Sequence, residues 1–502
     1  MPLKKQKYYI TTTLPYVNAE PHIGFALEII QADVLARFHR LSGDEVVFNT
    51  GTDEHGMKIY HKALEQKKEP LAYCDEYAAR FDALKQALDL SYTNFIRTTD
   101  PHHIKAAQEF WMLCFKNGDI YKKNYQVKYC IGCEMEKTDS ELMDGRCPIH
   151  PKMELEQIEE ENYFFKFSKY QKNLLDIYEK NPKFVIPKNR LREIKNFVES
   201  CLQDFSISRL KSKMPWGIEV PNDSEHVMYV WFDALINYIS TIGWPDDIKK
   251  YNSLWPGLQV AGKDNLRQQS AMWQAMLLSA GLKPSKQIFI HGFITSGGQK
   301  MSKSLGNVVD PFEIVNKYGT DATRYYLLGA MPAYEDGDFT VENFEKFYTA
   351  HLANGVGNLT SRILTMLEKY SDGKVPSKSE AFFDVKKFWQ DYEDALGEFA
   401  FDKIIIAINE LVSKCDELIS EQKPWEKAKK GEDISELLYQ LAECLRHIGI
   451  SLLPIMPRTA EKILSGLTIR IEDIVELKKE IKWGGLDCGV DIKKGEMLFP
   501  RI

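Results

Sequence analysis

The chain has no stretch approaching about 18 consecutive apolar residues, so no membrane-spanning helix is expected. Its N-terminus, Met1-Pro2-Leu3-Lys4-Lys5, runs straight into Tyr8-Tyr9-Ile10 with no apolar core behind the lysines, and a secretory leader is not expected. An excess of positive charge is missing too: 65 lysines and arginines stand against 72 aspartates and glutamates, for a net charge of −7 and a pI near 6.0. This balance argues mildly against a nucleic-acid binder. It leaves the matter to local patches, because exposed fields are screened beyond roughly 8–10 Å. The nine cysteines are odd in number and mostly scattered singly on helical patterns. A disulfide framework is therefore not expected, and the cytoplasm is the natural compartment. Fixed-period repeats and low-complexity tracts are also missing.

What is there is globular: 502 residues, 44% hydrophobic and 27% charged, enough for about three domains at roughly 100–200 residues each. Residues 8–13 are β-branched and aromatic and read as a strand. Pro15 and Pro21 bracket a turn, and a helix is expected from about Ile23 to Ser42, with Leu27, Ile30, Val34, Leu35, Phe38 and Leu41 as its apolar stripe and Gly43 as its stop. Val46-Val47-Phe48 reads as the next strand, making a βαβ unit and hence a parallel sheet. Residues ~116–225 break the pattern and read as an insertion, after which Met228 to Phe232 and Ile288 to Ile290 are expected to complete the sheet. From ~350 the chain reads as helical, with Ile434, Leu437, Leu438, Leu441, Leu445, Ile448 and Leu452 on one helix face. The tail Leu498-Phe499-Pro500 is expected to fold back, with its placement open.

Three motifs carry chemistry. Pro21-His22-Ile23-Gly24 stands at a strand-to-helix turn, where free N–H groups and the positive dipole end attract phosphate. His22 can donate to phosphate oxygens, and Gly24 leaves space for a base or ribose. Lys300-Met301-Ser302-Lys303-Ser304 puts two lysines three apart on a glycine-flanked loop, a clamp suited to charge building on a leaving pyrophosphate. Cys130-x-x-Cys133, followed after thirteen residues by Cys147-x-x-His150, has the spacing of a tetrahedral zinc knuckle. Three thiolates and an imidazole leave no open coordination position. The expected Zn²⁺, one ion, is therefore structural and holds together an insertion with little core of its own.

The first two motifs together, in this order, resemble the two signatures of class I aminoacyl-tRNA synthetases. Thr13-Leu14-Pro15-Tyr16-Val17-Asn18, Gly51-Thr52-Asp53-Glu54-His55-Gly56, Val230-Trp231-Phe232-Asp233-Ala234 and Gly262-Lys263-Asp264 are similar to the methionyl enzymes, of the bacterial type with a single zinc knuckle. The resemblance runs from Tyr8 to Ile502. It implies an α/β fold: a Rossmann-type parallel-sheet catalytic domain (1–115 and 226–295), interrupted by a connective insertion (116–225, knuckle about 126–152). A signature-loop and stem-contact region (296–350) and an all-α anticodon-binding bundle (351–502) would follow. The implied reaction is activation of methionine with ATP and its transfer to tRNA(Met), both initiator and elongator, by a cytoplasmic and monomeric ligase.

The resemblance also distributes roles. His22, Lys300, Lys303 and Asp264 are the expected catalytic residues, and Gly24, Glu28 and Gly262 join His22, Lys300 and Lys303 at ATP. Mg²⁺ is expected to arrive bridging the phosphates. Asp53 is expected to bind the methionine ammonium, with Leu14, Tyr16, Trp231, Tyr238, Gln269 and Trp273 around the side chain. Trp425, among the lysines 423, 427, 429 and 430, is expected to stack on an anticodon base, with Asn354 and Asn358 on a facing helix. Arg190, Arg192 and Lys195, and Arg209, Lys211 and Lys213, are expected to follow the tRNA backbone. Three positions depart from the pattern: Phe25 replaces a second histidine, Gln268-Gln269 replaces a Phe-His pair, and Asn358 stands where some relatives carry arginine. A leucine- or cysteine-specific synthetase, a small adenylyltransferase and a non-catalytic paralogue are the competing readings. The editing insertion has no room, the zinc spacing differs, and the helical domain is present, which weighs against the first two. Intact Lys300 to Ser304, Asp53, Trp231 and Asp264 weigh against the third.

Overall fold

The computed structural model describes residues 6–133, 135–137, 141–200, 202–301, 306–474 and 476–502. Its main sheet is parallel throughout, in the order β3 (Asn94–Arg97), β2 (Glu45–Thr52), β1 (Lys7–Thr12), β12 (Leu258–Gly262), β13 (Gln287–His291) and β7 (Val185–Ile186). β1 is buried from Tyr9 to Thr12 and β12 along its whole length, as expected of central strands covered on both faces. From β1 the chain works outward through β2 and β3, then returns to β1's other side at β12. The strand order therefore reverses between β1 and β12, and the crevice at their carboxyl ends is where such sheets bind ligands.

The helix after β1, α1 (Ile23–Leu41), matches the expected span and lies with twelve of its residues buried. Two expectations about the sheet change. Met228 to Phe232 is not a sheet strand: β11 (Asp223–Met228) pairs antiparallel with β9 (Ser208–Leu210) and β10 (Glu219–Val220), and Val230–Ala234 is a short helix. The strand that does complete the sheet is β12, whose Leu-Gln-Val-Ala-Gly run is too short and too mixed to stand out by period. The stretch expected as an insertion builds a second, antiparallel sheet in the order β5 (Met135–Lys137), β4 (Ile120–Cys130), β6 (Glu156–Phe165) and β8 (Phe205–Ser206), and it also contributes edge strand β7 to the main sheet.

After β13 comes a small sheet, β15 (Gln299–Lys300), β14 (Ile294–Ser296) and β16 (Gly337–Phe339). The rest is helical, its long members being Asn358–Tyr370, Val385–Gly397, Phe401–Gln422 and Ser435–Leu452. Arg324, fully buried, ties this part to the sheet domain. It pairs with Asp33 of α1 at 2.8 Å and donates to the carbonyls of Leu88, Pro454 and Ile455. The tail does fold back: the Tyr348 hydroxyl donates to the Pro500 carbonyl at 3.0 Å and Phe499 sits edge-on to the Tyr348 ring. No described helix is long and apolar enough to cross a membrane.

Candidate functional site

The turn before α1 is held by its own histidine. His22 is the N-cap, and its Nδ1 accepts the Gly24 amide proton at 3.1 Å. Nδ1 is thus an acceptor, which leaves Nε2 to carry the proton and face outward as a donor. Shielding by the surrounding chain, and then the nearby Lys300 ammonium, push the ring's pKa below the ordinary value, in keeping with the neutral form. A Cβ on Gly24 would lie 3.0 Å from the His22 ring and 3.7 Å from the Met301 methyl, so glycine lets ring and signature loop close on the turn. Ile23 N–H donates to the Val309 carbonyl at 3.0 Å, stitching the segment after that loop to the head of α1. With Phe25 N–H on the His22 carbonyl, the first three helical amides already have acceptors. The expectation of free amides for phosphate is therefore corrected: the donor on offer is the His22 ring. Phe25 turns away and packs edge-on against Phe81, with ring centroids 5.5 Å apart.

Below this turn, Glu28 accepts from the Thr13 amide at 2.7 Å and the Thr13 hydroxyl at 2.5 Å through Oε1, and meets His291 Nε2 at 3.0 Å through Oε2. Glu28, expected at ATP, is buried with both oxygens engaged and braces the crevice from below. His291, the last residue of β13, was not expected; the available signal was a polar residue at the carboxyl end of a buried strand. Gly262 ends β12 beside it, and a Cβ there would lie 2.9 Å from Asp264 Oδ1 and 3.6 Å from the His291 ring. Burial, and then the Glu28 charge, raise the Asp264 pKa above the usual carboxylate value.

A cavity opens beside this cluster, lined by Thr13, Leu14, Tyr16, Asp53, Trp231, Ala234, Leu235, Asn237, Tyr238, Asn265, Gln268 and Gln269. Six of the seven expected methionine contacts line it. The seventh, Trp273, is fully buried one layer back, its ring 6.0 Å from that of Tyr238 and 5.7 Å from that of Phe110. Asp53 is placed by the backbone, its N–H on the Pro15 carbonyl and its carbonyl accepting from Val17. Gln269 donates to the Tyr238 hydroxyl at 2.6 Å and accepts from Gln259 at 3.1 Å, so an amide network stands where the resemblance implies a Phe-His pair in relatives. Gln268 Oε1 is buried at the cavity wall with no hydrogen-bond partner among the described residues. Underneath, Asp233 bridges His55 Nδ1 at 2.6 Å and His103 Nε2 at 2.8 Å, fixing the short helix that carries Trp231.

The knuckle residues converge. One ligand atom from each of Cys130, Cys133, Cys147 and His150 lies within 4.8 Å of the others, with Cys133 Sγ 3.2 Å from His150 Nδ1 and 3.5 Å from Cys147 Sγ. Metal–sulfur and metal–nitrogen bonds of roughly 2.0–2.3 Å fit a set this tight. Gly132 is required, since a Cβ there would meet the His150 ring at 2.5 Å. The knuckle hairpin reaches the cavity: Tyr129 and Ile131 pack with Tyr16, Tyr229, Val230 and Trp231.

Lys300 ends β15, its ammonium 5.4 Å from the Phe293 ring centre. Lys303 lies outside the described residues. Asn354, Asn358 and Trp425 are all exposed on the helical part, Trp425 at 39%. Of the expected basic tracks, Arg209 is withdrawn from the surface and four others are ion-paired. Arg209 is buried between the rings of Tyr129 and Tyr229, while Arg190 pairs with Glu193, Lys195 with Glu179, Lys211 with Glu219 and Lys213 with Glu160.

Comparison with known proteins adds to this geometry. The family described as tRNA synthetases class I (M) matches residues 8–157 and 151–364, and that described as Anticodon-binding domain of tRNA ligase matches 384–483. Methionine–tRNA ligase of Thermosynechococcus vestitus is 42% identical over 517 residues, covering 99% of this chain and 97% of the relative. The chloroplastic/mitochondrial methionine–tRNA ligase of Arabidopsis thaliana is 40% identical over 521 residues, covering 99% and 83%. Among solved structures, Mycobacterium tuberculosis methionyl-tRNA synthetase in complex with methionyl-adenylate superposes with a TM-score of 0.93 at 35% identity, covering 99% of this chain and 100% of that one. The free state of the same enzyme gives 0.86 at 32%, covering 100% and 99%.

Proposed function

The chain belongs to the methionyl-tRNA synthetases, a family of class I aminoacyl-tRNA synthetases, and from that premise we propose how its residues divide the work. The protein activates methionine with ATP to methionyl-adenylate and charges tRNA with it. Activation forms a bond between a methionine carboxylate oxygen and the α-phosphorus of ATP and breaks the bond to pyrophosphate. The enzyme needs no covalent nucleophile. It must align two reactants and meet growing negative charge with fixed donors.

In this reading the triphosphate lies over the head of α1, where His22 Nε2–H donates and Lys300 and Lys303 neutralise charge on the β and γ phosphates. Gly24 and Gly262 leave room for the nucleoside, and Asp264 takes a ribose or reaction-centre contact. Mg²⁺ enters with the nucleotide. Asp53 pairs with the methionine ammonium, and the open oxygen of Gln268 accepts from the same group. Leu14, Tyr16, Trp231 and Tyr238 wrap the thioether, at roughly 0.3–1.5 kcal/mol per sulfur–aromatic contact. Trp273 acts through Tyr238. Zn²⁺ held by Cys130, Cys133, Cys147 and His150 would tie the knuckle that buttresses Tyr16 and Trp231. Asn354, Asn358 and Trp425 read the anticodon of initiator and elongator tRNA(Met), and the enzyme works as a cytoplasmic monomer.

The observation that carries this reading is the shared crevice. Thr13 lines the amino-acid cavity and is bonded to Glu28, while Asn265 lines the same cavity next to Asp264. The test is methionine-dependent ATP–pyrophosphate exchange, followed by charging of tRNA(Met). Exchange supported by leucine or cysteine in place of methionine, or no exchange, would overturn it.

A further inference from the structure

We propose that Asp338 is a positioning residue for adenylate formation: one of its oxygens fixes the hairpin that presents Lys300, with Asp336 anchoring the hairpin's base.

The hairpin β14–β15 is too small to hold itself. Two pairs, Thr295–Lys300 and Ser296–Gln299, join its strands across the Gly297-Gly298 loop, whose φ angles are +62° and +72°, and only β14 is paired further, in parallel with β16, which leaves β15 as an edge held on one side. Lys300 sits on the outer strand, opposite Thr295 in the ladder. The missing support comes from residues 335–339. Asp338 Oδ1 accepts from the Thr295 hydroxyl at 2.7 Å and from the Gly298 amide at 2.8 Å. A single oxygen thus spans the hairpin tip and joins the ladder partner of Lys300 to the turn beside it. Two residues earlier, Asp336 accepts from the Phe293 amide at 2.9 Å and pairs with Lys263 at 2.6 Å. Two glycines allow this approach. A Cβ on Gly292 would collide with the Glu335 carbonyl, and one on Gly337 would lie 2.5 Å from Met331 Sδ. The Thr295 and Gly298 bonds commit Oδ1 of Asp338 to the loop. Releasing the tip frees Lys300 to drift from the triphosphate, and a shift of about 1 Å in a charge-stabilising group costs on the order of 10²-fold in rate.

The inference rests on Lys300 contacting the triphosphate, so the experiment includes Lys300→Ala. Asp338→Ala, Asp338→Asn, Thr295→Val and Lys300→Ala are compared in pyrophosphate exchange, with methionine affinity measured by calorimetry. For Asp338→Ala, kcat/KM for ATP is expected to fall about 10²-fold while the methionine Kd stays within about twofold. Asp338→Asn keeps an oxygen that accepts both bonds and is expected to recover most of the activity. Thr295→Val removes the hydroxyl, which reaches Asp338 at 2.7 Å and the Gly337 carbonyl at 3.1 Å, without changing shape and is expected to fall in between, which keeps the test decisive if the alanine variant does not fold. Wild-type exchange in Asp338→Ala or Thr295→Val, an asparagine variant as damaged as the alanine one, or a parallel loss of methionine affinity would overturn the proposal. Full exchange in Lys300→Ala would instead overturn the reading of Lys300.

Discussion

His291 Nε2 lies 3.0 Å from Glu28 Oε2 while its Nδ1 lies 2.7 Å from the Gly292 carbonyl oxygen. The carbonyl accepts, and so does an ionised Glu28, so this geometry favours the ring protonated on both nitrogens. Burial opposes that charge, but the Glu28 bond and charge, the Gly292 carbonyl and the Asp264 charge outweigh it and raise the pKa above 6.5. A raised folded-state value means stability fully present below the unfolded pKa and lost as pH rises through the folded one. The melting temperature of His291→Gln is therefore expected to trail the wild type most below the ordinary histidine pKa of 6.5, with the gap narrowing as the pH rises above it. A gap independent of pH would show that the ring is neutral.

Gln268 lines the amino-acid cavity, and its buried oxygen has no hydrogen-bond partner among the described residues. A hydrogen bond to a charged group contributes roughly 1.5–3 kcal/mol, so Gln268→Leu is expected to raise KM for methionine about 10-fold or more and leave KM for ATP near wild type. Steady-state exchange at varied methionine and varied ATP separates the two, and equal losses would assign Gln268 to the fold.

Stripping metal with a chelator, or changing Cys147 to Ser, is expected to remove about one zinc per chain, as read by atomic absorption. Because Tyr129 and Ile131 share one apolar cluster with Tyr16 and Trp231, KM for methionine is expected to rise as the knuckle loosens. Retention of full methionine affinity in the metal-free protein would separate knuckle from cavity.

Trp425→Ala is expected to leave pyrophosphate exchange unchanged and to lower kcat/KM for tRNA about 5- to 150-fold, the equivalent of roughly 1–3 kcal/mol for a stacked base. Unchanged charging would remove Trp425 from the anticodon site.

Much of this was legible along the chain. The strand at residues 8–13 and the helix after it carry strong local patterns, and the knuckle spacing names its ligands without help from the fold. The leading turn and the lysine loop are recognisable because their residue types are tied to phosphate chemistry. β12 does not stand out because five mixed residues have no distinctive period, and Trp273 lies one layer behind its expected place because an aromatic beside a cavity and one lining it look alike in sequence. Arg209 was read as exposed because nothing local reveals that two tyrosine rings and Glu160 close over it.

By itself the sequence determined the chemistry available: a histidine turn, a lysine loop, a four-ligand metal set, a carboxylate for an ammonium and a helical domain to follow. These depend on short-range spacing and on side-chain type, which the chain carries openly. Only the tertiary structure decided who meets whom. It placed His291 on Glu28, consumed the first amides of α1, left the Gln268 oxygen open and set Asp338 under the Lys300 hairpin. The His291–Glu28 and Asp338–Gly298 contacts join residues 263 and 40 positions apart, and pairings at such range are selected by the burial and packing of whole elements, which local pattern does not encode.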